Sequence, residues 1–277
     1  TFIIGQRIGN TIEIGSARYR MNTKSDMTTQ VRAFWEQGPC GTNIGVVGDA
    51  EPLSREWFET IEQNRYALEP MIHGAAQFTR HRGKKLLEIG VGAGTDHLQW
   101  ARAGCQCHGV DLTDAAIETT RARLALYGLT SSLQRLDAET LPFEDASFDL
   151  VWSWGVIHHA EHPERIIAEI QRVLAPGGEF RGMFYKRWSL AVFKEWVKYG
   201  LLRGRPFRSF ADVLAHHFES PGTKAYTLRE MRGLFSAWRE VTLCTAMTPY
   251  DLQHLPSFLS GWIPDSMGSF IVVRATK

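Results

Sequence analysis

The stretch KKLLEIGVGAGTD, residues 84–96, decides the fold predicted for this chain. Its apolar run, residues 86–89, stops at Gly90, Gly92 and Gly94, and a helix-like segment, DHLQWARAG, follows. Glycine permits positive φ and close backbone approach to a ligand, and a helix start offers unpaired N–H groups with partial positive charge. The order of strand, glycine loop and helix therefore predicts a nucleotide-type ligand. An ordinary glycine-rich turn is the alternative.

A carboxylate stands where the next predicted strand, residues 107–110, ends. This residue, Asp111, lies 21 positions after Gly90, and Thr113 is expected to cap the helix that follows and stops at Gly128. In dinucleotide-type folds a carboxylate at the tip of the second strand accepts hydrogen bonds from both ribose hydroxyls. Asp111 and the glycine loop together predict an adenosine; a helix cap is the alternative for Asp111 taken alone.

The remaining chain continues the alternation of strands and helices. Strands are expected at 132–136, 148–153 and 179–185, with a helix ERIIAEIQRVL between the last two, and two closing strands at about 240–245 and 269–274. The third strand ends in Asp137-Ala138-Glu139, where a carboxylate would accept a bond from an exocyclic amine such as that of adenine. The pattern predicts a parallel sheet that carries an antiparallel edge hairpin.

Segments outside this alternation divide the chain. We expect an N-terminal arm or upstream extension at 1–30, a helical cap at 31–83, and a core at 84–277 with a helical insert at 186–226 over the acceptor site. Ser54 is expected to cap one helix, and Thr227 with Glu230 to form a capping box for another. The helical cap either closes over a ligand or simply packs on the sheet. The arm would pack on a second subunit in a homo-oligomer.

Composition excludes several classes of function. The net charge of +1 over 277 residues provides no overall field that favours nucleic acid or an anionic membrane. Four cysteines are too few for a disulfide scaffold, which favours a reduced, cytoplasmic protein. No apolar run of about 18 residues occurs, so no membrane span is expected. Nine tryptophans and fifteen phenylalanines either fill the core or line a pocket for a large apolar ligand.

The order of motifs resembles the class I S-adenosylmethionine-dependent methyltransferases, in the small-molecule branch that includes ubiquinone and sterol methyltransferases. The resemblance covers residues 84–184. It rests on EIGVGAGT (88–95), GVDLT (109–113), LDAETLPF (136–143), SWGVIHH (153–159) and LAPGGEF (174–180). It implies a Rossmann-like α/β fold with a seven-stranded sheet, mostly parallel with an antiparallel last strand. S-adenosyl-L-methionine is the implied cofactor.

The resemblance also implies a role for eight residues at the cofactor. The backbone of the glycine loop would hold the amino acid end, the second-strand tip the ribose and adenine, the third-strand tip the adenine amine and ring, and the backbone near Trp154 the methionine amino group. These residues are Glu88, Gly90, Gly92, Asp111, Leu112, Asp137, Ala138 and Trp154.

A nicotinamide cofactor is disfavoured by the spacing of the glycines. They follow G-x-G-x-G rather than G-x-G-x-x-G, and Thr95 occupies the sixth position. Asp137 and the fourth-strand motif would have no role in such an enzyme.

Candidates for the chemistry lie just past the fourth strand. His158 and His159 are candidate general bases, although each could instead pack or cap the following helix. We expect no metal, because no carboxylate joins these histidines and His162 at ligand spacing. The candidate acceptor pocket is drawn from aromatic residues of the arm, the helical cap, the fifth strand and the insert: Tyr19, Phe34, Trp35, Tyr66, Tyr185 and Trp188.

These features predict methyl transfer to a hydrophobic small molecule, a secondary metabolite of aromatic or terpenoid/indole alkaloid type. One alternative is C-methylation of a prenyl double bond with a carbocation-driven cyclisation, in which aromatic side chains would stabilise the cation. The second is a protein that binds S-adenosylmethionine without catalysis. Nucleic acid is not an expected partner, because no basic run occurs.

Overall fold

The structure is a computed structural model. It describes residues 26–217, 219–253 and 262–277, together with the backbone of residues 6–8, 11–14 and 17–20. Its strands are β1 (Gln6–Ile8), β2 (Thr11–Ile14), β3 (Ala17–Arg20), β4 (Lys85–Ile89), β5 (Gln106–Asp111), β6 (Ser132–Arg135), β7 (Phe148–Trp154), β8 (Leu174–Tyr185), β9 (Glu240–Ala246) and β10 (Phe270–Thr276).

Eleven α-helices are present in the described residues, and short 3₁₀ turns link several of them. They are α1 (Met27–Trp35), α2 (Ile44–Val47), α3 (Arg55–Leu68), α4 (Met71–Ala76), α5 (Thr95–Arg102), α6 (Asp114–Leu126), α7 (Pro163–Val173), α8 (Leu190–Tyr199), α9 (Phe210–His217), α10 (Leu228–Leu234) and α11 (Pro249–Leu252).

A seven-stranded sheet organises the chain, in the order β6-β5-β4-β7-β8-β10-β9. Neighbours from β6 to β8 pair in parallel, and β10 alone runs antiparallel to both of its neighbours, β8 and β9. The strand order reverses between β4 and β7, which is where open α/β sheets bind their ligands. The predicted Rossmann-like class, with its antiparallel last strand, is confirmed.

The sheet is covered on both faces, which explains why its central strands are apolar throughout. In β7 every residue from Leu150 to Trp154 is buried. One face packs on Ile166, Ile170 and Val173 of α7. The other face packs on Trp100 of α5 and Ile72 of α4. Helices from both sides therefore fix the carboxyl ends of β4, β5 and β7 in a rigid frame.

Local signals at the helix starts are confirmed. The Thr113 hydroxyl accepts a hydrogen bond from the Ala116 amide, and the Ser54 hydroxyl accepts one from the Trp57 amide. Thr227 and Glu230 form the predicted capping box of α10. These side chains satisfy amide groups that the first helical turn leaves unpaired.

The fifth strand of the sheet begins earlier than predicted. β8 starts at Leu174, because Leu174 pairs with Phe148 before the register shifts and Leu150 pairs with Glu179. Residues 175–178 lie in this irregularity. The Gly177 amide donates to the carbonyl of Lys277, and the Lys277 amide donates to the carbonyl of Gly178. Pro176, Gly177 and Gly178 therefore form a bulge within the strand.

The helical cap and the insert take up the flanking segments. The cap begins with α1 at Met27, four residues earlier than expected, and continues through α4. The insert contains α8 and α9. Strands β1–β3 form a separate antiparallel sheet, but their side chains, including Tyr19, lie outside the described residues, so the arm's packing on a second subunit stays a prediction. Among the described helices, none combines the length and the apolar character that crossing a membrane requires.

Candidate functional site

One cavity opens at the carboxyl ends of β4, β5 and β7. Its wall includes all eight residues predicted for the cofactor: Glu88, Gly90, Gly92, Asp111, Leu112, Asp137, Ala138 and Trp154. They come from four separate stretches of the chain, which the parallel sheet brings to one edge. Their role in holding a cofactor stays a prediction.

The glycine loop forms the floor of this cavity. Gly90, Gly92 and Gly94 all have positive φ, of 81°, 54° and 71°. A Cβ on Gly90 would lie 2.2 Å from a methyl carbon of Val156, so that position has no room for a side chain. A Cβ on Gly92 would meet nothing within 4 Å, although Gly92 lines the cavity. Gly92 is thus the point at which backbone is exposed to a ligand.

Asp111 connects the second-strand tip to the glycine loop. Its carboxylate accepts hydrogen bonds from the Gly92 amide at 3.2 Å, the Thr113 amide at 3.0 Å and the Thr113 hydroxyl at 2.8 Å. Burial raises the pKa of Asp111, although these hydrogen bonds oppose the shift. A carboxylate has about four lone-pair sites, so Asp111 retains capacity to accept from a ligand hydroxyl.

Arg123 of α6 holds the far side of the same loop and is fully buried. Its guanidinium donates to the Ala93 carbonyl at 3.2 Å and to the Thr95 hydroxyl at 2.7 Å. It also donates to Glu62 of α3 at 2.6 Å. The loop's conformation is therefore fixed from both the core and the helical cap.

Glu88 forms a buried pair with His97 beneath the loop. His97 Nδ1 lies 2.9 Å from Glu88 Oε2, and His97 Nε2 lies 2.8 Å from the Ser131 hydroxyl. The Ser131 hydroxyl donates to the Cys107 carbonyl, so it accepts from Nε2–H and leaves Nδ1 as an acceptor. Burial lowers the pKa of His97 to about 4 and raises the pKa of Glu88 well above its usual range. Glu88 is therefore a neutral acid that donates to neutral His97.

This pair predicts a specific pH dependence of stability. The folded pair keeps one proton, on Glu88. Between about pH 4.5 and 6.5 the unfolded pair also holds one proton, on the histidine. In this range the pair therefore adds no pH dependence to the free energy of unfolding. Above about pH 6.5 the unfolded pair holds none, and the free energy of unfolding should fall by about 1.4 kcal/mol per pH unit until the folded pKa of Glu88 is reached. Denaturant titrations across pH measure this slope.

Glu88→Gln is the matched variant, because glutamine keeps the donor to His97 without a titrating proton. The fall above pH 6.5 should be absent in Glu88→Gln, leaving only a loss of stability below pH 6.5 as His97 becomes protonated in the unfolded chain. If the free energies of unfolding of the two proteins changed in parallel with pH above pH 6.5, Glu88 would be ionised in the folded protein, which would contradict this prediction.

The third-strand tip and the fourth-strand end complete the predicted cofactor wall. Asp137 accepts a hydrogen bond from the Glu139 amide at 2.9 Å, which fixes its turn and leaves its second oxygen available. Trp154 stacks on Trp152, with ring centroids 5.0 Å apart, and its indole N–H donates to Glu69. The Trp154 side chain is thus held between Trp152 and Glu69, at the end of α3, and Trp154 also forms part of the cavity wall.

Charged residues that the sequence did not single out also line the cavity. Arg65 of α3 forms an ion pair with buried Asp96 at 2.8 Å. Asp96 also accepts from the Tyr66 hydroxyl at 3.1 Å and from the Trp152 indole N–H at 3.2 Å. Cys40 lies nearby on the wall, with its side chain exposed. An acidic residue in the first turn of α5 is a feature of the sequence that could have pointed to Asp96. No such feature points to Arg65, because tertiary packing brings α3 to the cavity.

The two candidate bases have different surroundings. His159 lines the cavity, and its Nδ1 lies 2.8 Å from the Ser220 hydroxyl and 3.0 Å from the Thr223 hydroxyl. Its Nε2 lies 3.2 Å from Glu219 Oε2. His158 is fully buried and is not part of the wall; neither of its ring nitrogens has a hydrogen-bond partner within the described residues. Burial lowers the pKa of His158 well below its usual range, so it is neutral.

A carboxylate does join the two histidines, contrary to the reason given for excluding a metal. Ligand atoms of His158, His159 and Glu219 lie within 4.8 Å of one another, whereas His162 points to Glu164 at the surface. Glu219 comes from the end of the insert, 60 residues after His159, so spacing along the chain could not have found it. Glu219 already accepts from the Tyr185 hydroxyl at 2.8 Å. The expectation of no metal stays a prediction.

Only part of the predicted acceptor pocket lies at the cavity. Trp35 is in the wall, with Phe34 buried behind it at a ring distance of 5.0 Å. Tyr66 is bound to Asp96, and Tyr185 is buried against Glu219. Trp188 is 60% exposed and packs its edge on Phe210, outside the cavity wall. Aromatic character alone did not separate wall residues from supporting and surface residues.

A sheet of this order, with a glycine loop and an acidic second-strand tip facing one cavity, has the class I methyltransferase fold. Residues 87–181, about a third of the chain, match the family model described as a methyltransferase domain. The chain therefore carries a methyltransferase domain of the S-adenosylmethionine-dependent type, as the motifs indicated.

Curated relatives share this part of the chain. Over 110 residues the chain is 40% identical to a phthiotriol/phenolphthiotriol dimycocerosates methyltransferase of Mycobacterium ulcerans. This alignment covers 39% of this chain and 40% of that protein. Over 148 residues it is 30% identical to norajmaline N-methyltransferase of Rauvolfia serpentina, covering 50% and 51%. The chain thus matches about two fifths to half of the length of these relatives.

A solved structure extends the similarity of fold over most of the chain. Geranyl diphosphate C-methyltransferase from Streptomyces coelicolor A3(2) matches 92% of this chain and 98% of its own, with a TM-score of 0.59 and 17% identity. At this identity the match shows a shared fold and nothing about the acceptor.

Proposed function

We propose that the protein transfers a methyl group from S-adenosylmethionine to a hydrophobic small molecule, a secondary metabolite of aromatic or terpenoid/indole alkaloid type. The observation that carries the proposal is the cavity formed by the glycine loop and Asp111 within a methyltransferase domain. Open space above Gly92 and spare acceptor capacity on Asp111 fit an adenosine that lies against the loop.

The residues of the wall would divide the work of binding. Glu88, Gly90 and Gly92 would present backbone to the amino acid end, and Asp111 would accept from the ribose hydroxyls. Leu112, Asp137 and Ala138 would hold the adenine. When bound, S-adenosylmethionine supplies a methyl group already activated by its sulfonium. The protein's remaining task is to orient the acceptor and to exclude water.

The acceptor would meet the part of the wall that contains Trp35 and His159. The names of the curated relatives support a hydrophobic acceptor, since they refer to dimycocerosates and norajmaline. These acceptors differ in chemistry, and what they share is a large apolar body. We therefore propose the class of acceptor and leave open whether oxygen, nitrogen or carbon is methylated.

His159 is our candidate for the general base. Its Nδ1 is held by Ser220 and Thr223, which orients the ring, and Glu219 beside Nε2 would stabilise the imidazolium that forms when a proton is accepted. His158 has no place in the wall and is proposed to support His159 by packing at a ring distance of 4.3 Å. A hydroxyl or an ammonium group requires such a base, whereas a prenyl double bond has no proton to remove before attack.

Methyl transfer is tested with S-adenosylmethionine labelled in its methyl group and a panel of phenolic, amine and prenylated acceptors. His159→Gln should lower kcat on an O- or N-acceptor by roughly a hundredfold or more. His162→Gln, a partly exposed histidine three residues on, is the control and should retain full activity.

The alternatives predict different outcomes on the same panel. C-methylation with cyclisation would give labelled cyclic product from prenylated acceptors only, and the final carbocation would still have to release a proton. A protein that only binds the cofactor would show saturable binding but no labelled product with any acceptor. Transfer to phenols or amines that is unaffected by His159→Gln would remove the base from the proposal and keep the methyl transfer.

A further inference from the structure

The insert contains a large excess of positively charged residues. Residues 186–217 contain seven lysines and arginines but only two acidic residues, a net charge of +5. Because the whole chain has a net charge of +1, the remaining residues carry −4. The near-neutral total therefore conceals a strongly polarised charge distribution, and this segment provides a local field that favours an anionic surface.

A short stretch at the end of α8 combines this charge with exposed apolar side chains. In residues 198–207, here called the insert tip, Leu201 is 49% exposed, Leu202 is 76% exposed and Phe207 is fully exposed. The tip is folded: the Arg205 amide donates to the Gly200 carbonyl, and the Trp196 indole N–H donates to the Arg208 carbonyl. Large apolar side chains held outward by an ordered turn cost free energy in water.

The cations of the insert tip are available to a partner. Elsewhere in the insert, Arg187 pairs with Glu230, Arg208 pairs with Asp212, and Lys194 donates to three backbone carbonyls. Within the described residues, Arg203 and Arg205 form no ion pair, and both are exposed. Lys198 is exposed as well, with its charge partly offset by Glu195.

We propose that the insert tip is a docking surface for an anionic lipid membrane. Alternating apolar and basic side chains are the composition of segments that lie in the membrane interface, where the apolar groups enter the acyl boundary and the cations remain among the headgroups. A second copy of this chain is a poor partner, because identical positive surfaces repel. A nucleic acid would bind the arginines and leave Leu202 and Phe207 in water.

The tip is joined to the cavity through the insert. It leads into α9, and the residues just after α9 include Glu219 and Ser220, which contact His159 at the cavity wall. Membrane docking would therefore bring the acceptor end of the cavity near a source of apolar molecules. The docking itself does not depend on methyl transfer, so it is tested without cofactor or acceptor.

Vesicle sedimentation of the whole protein tests the proposal. The wild type should bind vesicles of phosphatidylcholine mixed with phosphatidylglycerol, more weakly at high salt, and bind pure phosphatidylcholine far less. Arg203→Gln with Arg205→Gln should weaken binding to the anionic vesicles roughly thirtyfold, at about fivefold per cation. Leu202→Ser with Phe207→Ser should weaken binding to both kinds of vesicle.

Matched controls carry the same changes at other exposed positions. Arg80→Gln with Arg82→Gln removes two cations outside the insert, and Ile44→Ser removes an apolar side chain that is 78% exposed. Both should bind like the wild type. The proposal is overturned if the wild type does not bind anionic vesicles, or if the tip variants bind as the controls do. It is also overturned if light scattering without vesicles shows a dimer that the tip variants abolish.

Discussion

Gly92→Ala is expected to weaken the binding of S-adenosylmethionine and S-adenosylhomocysteine at least tenfold while the protein remains folded. The added Cβ meets no protein atom within 4 Å, so it would project into the cavity at the point where the proposed cofactor lies against the backbone. A φ of 54° lies in the left-handed region, so alanine there also costs about 1–2 kcal/mol of stability. Calorimetric titration and thermal melting separate the two effects.

Gly128→Ala is the control for the backbone cost. Gly128 has a φ of 64°, and a Cβ there also meets nothing within 4 Å, but it follows α6 and is not part of the cavity wall. Gly128→Ala should lose a similar amount of stability and bind the cofactor normally. If Gly92→Ala bound the cofactor as tightly as Gly128→Ala does, the cofactor would not approach the loop in the way we propose.

Asp111→Asn is the second change with a large expected effect. The side chain keeps its size, but one acceptor oxygen becomes a donor that cannot bind a ribose hydroxyl as the carboxylate does. A hydrogen bond to a charged group contributes about 1.5–3 kcal/mol, so affinity for S-adenosylhomocysteine should fall roughly tenfold to a hundredfold. Titration of both proteins with S-adenosylhomocysteine measures the change.

The control must distinguish the loss of a negative charge from the loss of a contact with the ligand. A further effect is possible because Asp111 also accepts hydrogen bonds from the Gly92 and Thr113 amides. Asp114→Asn removes an equal charge three residues away, at the exposed start of α6, and should leave affinity within about twofold. Melting temperatures without ligand report any loosening of the loop in Asp111→Asn. Equal affinities of wild type and Asp111→Asn would sink the assignment of Asp111 to the ribose.

The cofactor end of the cavity could be predicted from sequence because its determinants are local. A glycine loop fixes its own backbone, and Asp111 follows its strand directly, so the parallel sheet alone brings them together. The register of β4 with β5 pairs Ile89 with Val110 and thereby places Gly90 beside Asp111. Little tertiary information is needed beyond the order of the strands.

The acceptor end depends on contacts that sequence does not reveal. Arg65 and Glu219 reach the site from α3 and from the end of the insert, far from the sheet motifs in sequence. Tyr66, Tyr185 and Trp188 are equally aromatic, yet packing makes the first a partner of Asp96, the second a buried donor to Glu219 and the third a surface residue. Composition cannot distinguish these outcomes, because they follow from which face each element buries.

The fifth strand shows the same limit on a smaller scale. By sequence, Pro176-Gly177-Gly178 is typical of a helix end followed by a turn. In the structure these residues join the sheet through a bulge, and their backbone forms hydrogen bonds with Lys277. A partner 100 positions away in sequence decided that pairing.

The most direct test of the account is a calorimetric titration of the unmodified protein with S-adenosylhomocysteine, compared with the oxidised nicotinamide dinucleotide. We predict saturable binding of S-adenosylhomocysteine, one molecule per chain, and no measurable binding of the dinucleotide. Binding of the dinucleotide alone, or of neither ligand, would contradict the assignment of this cavity to S-adenosylmethionine.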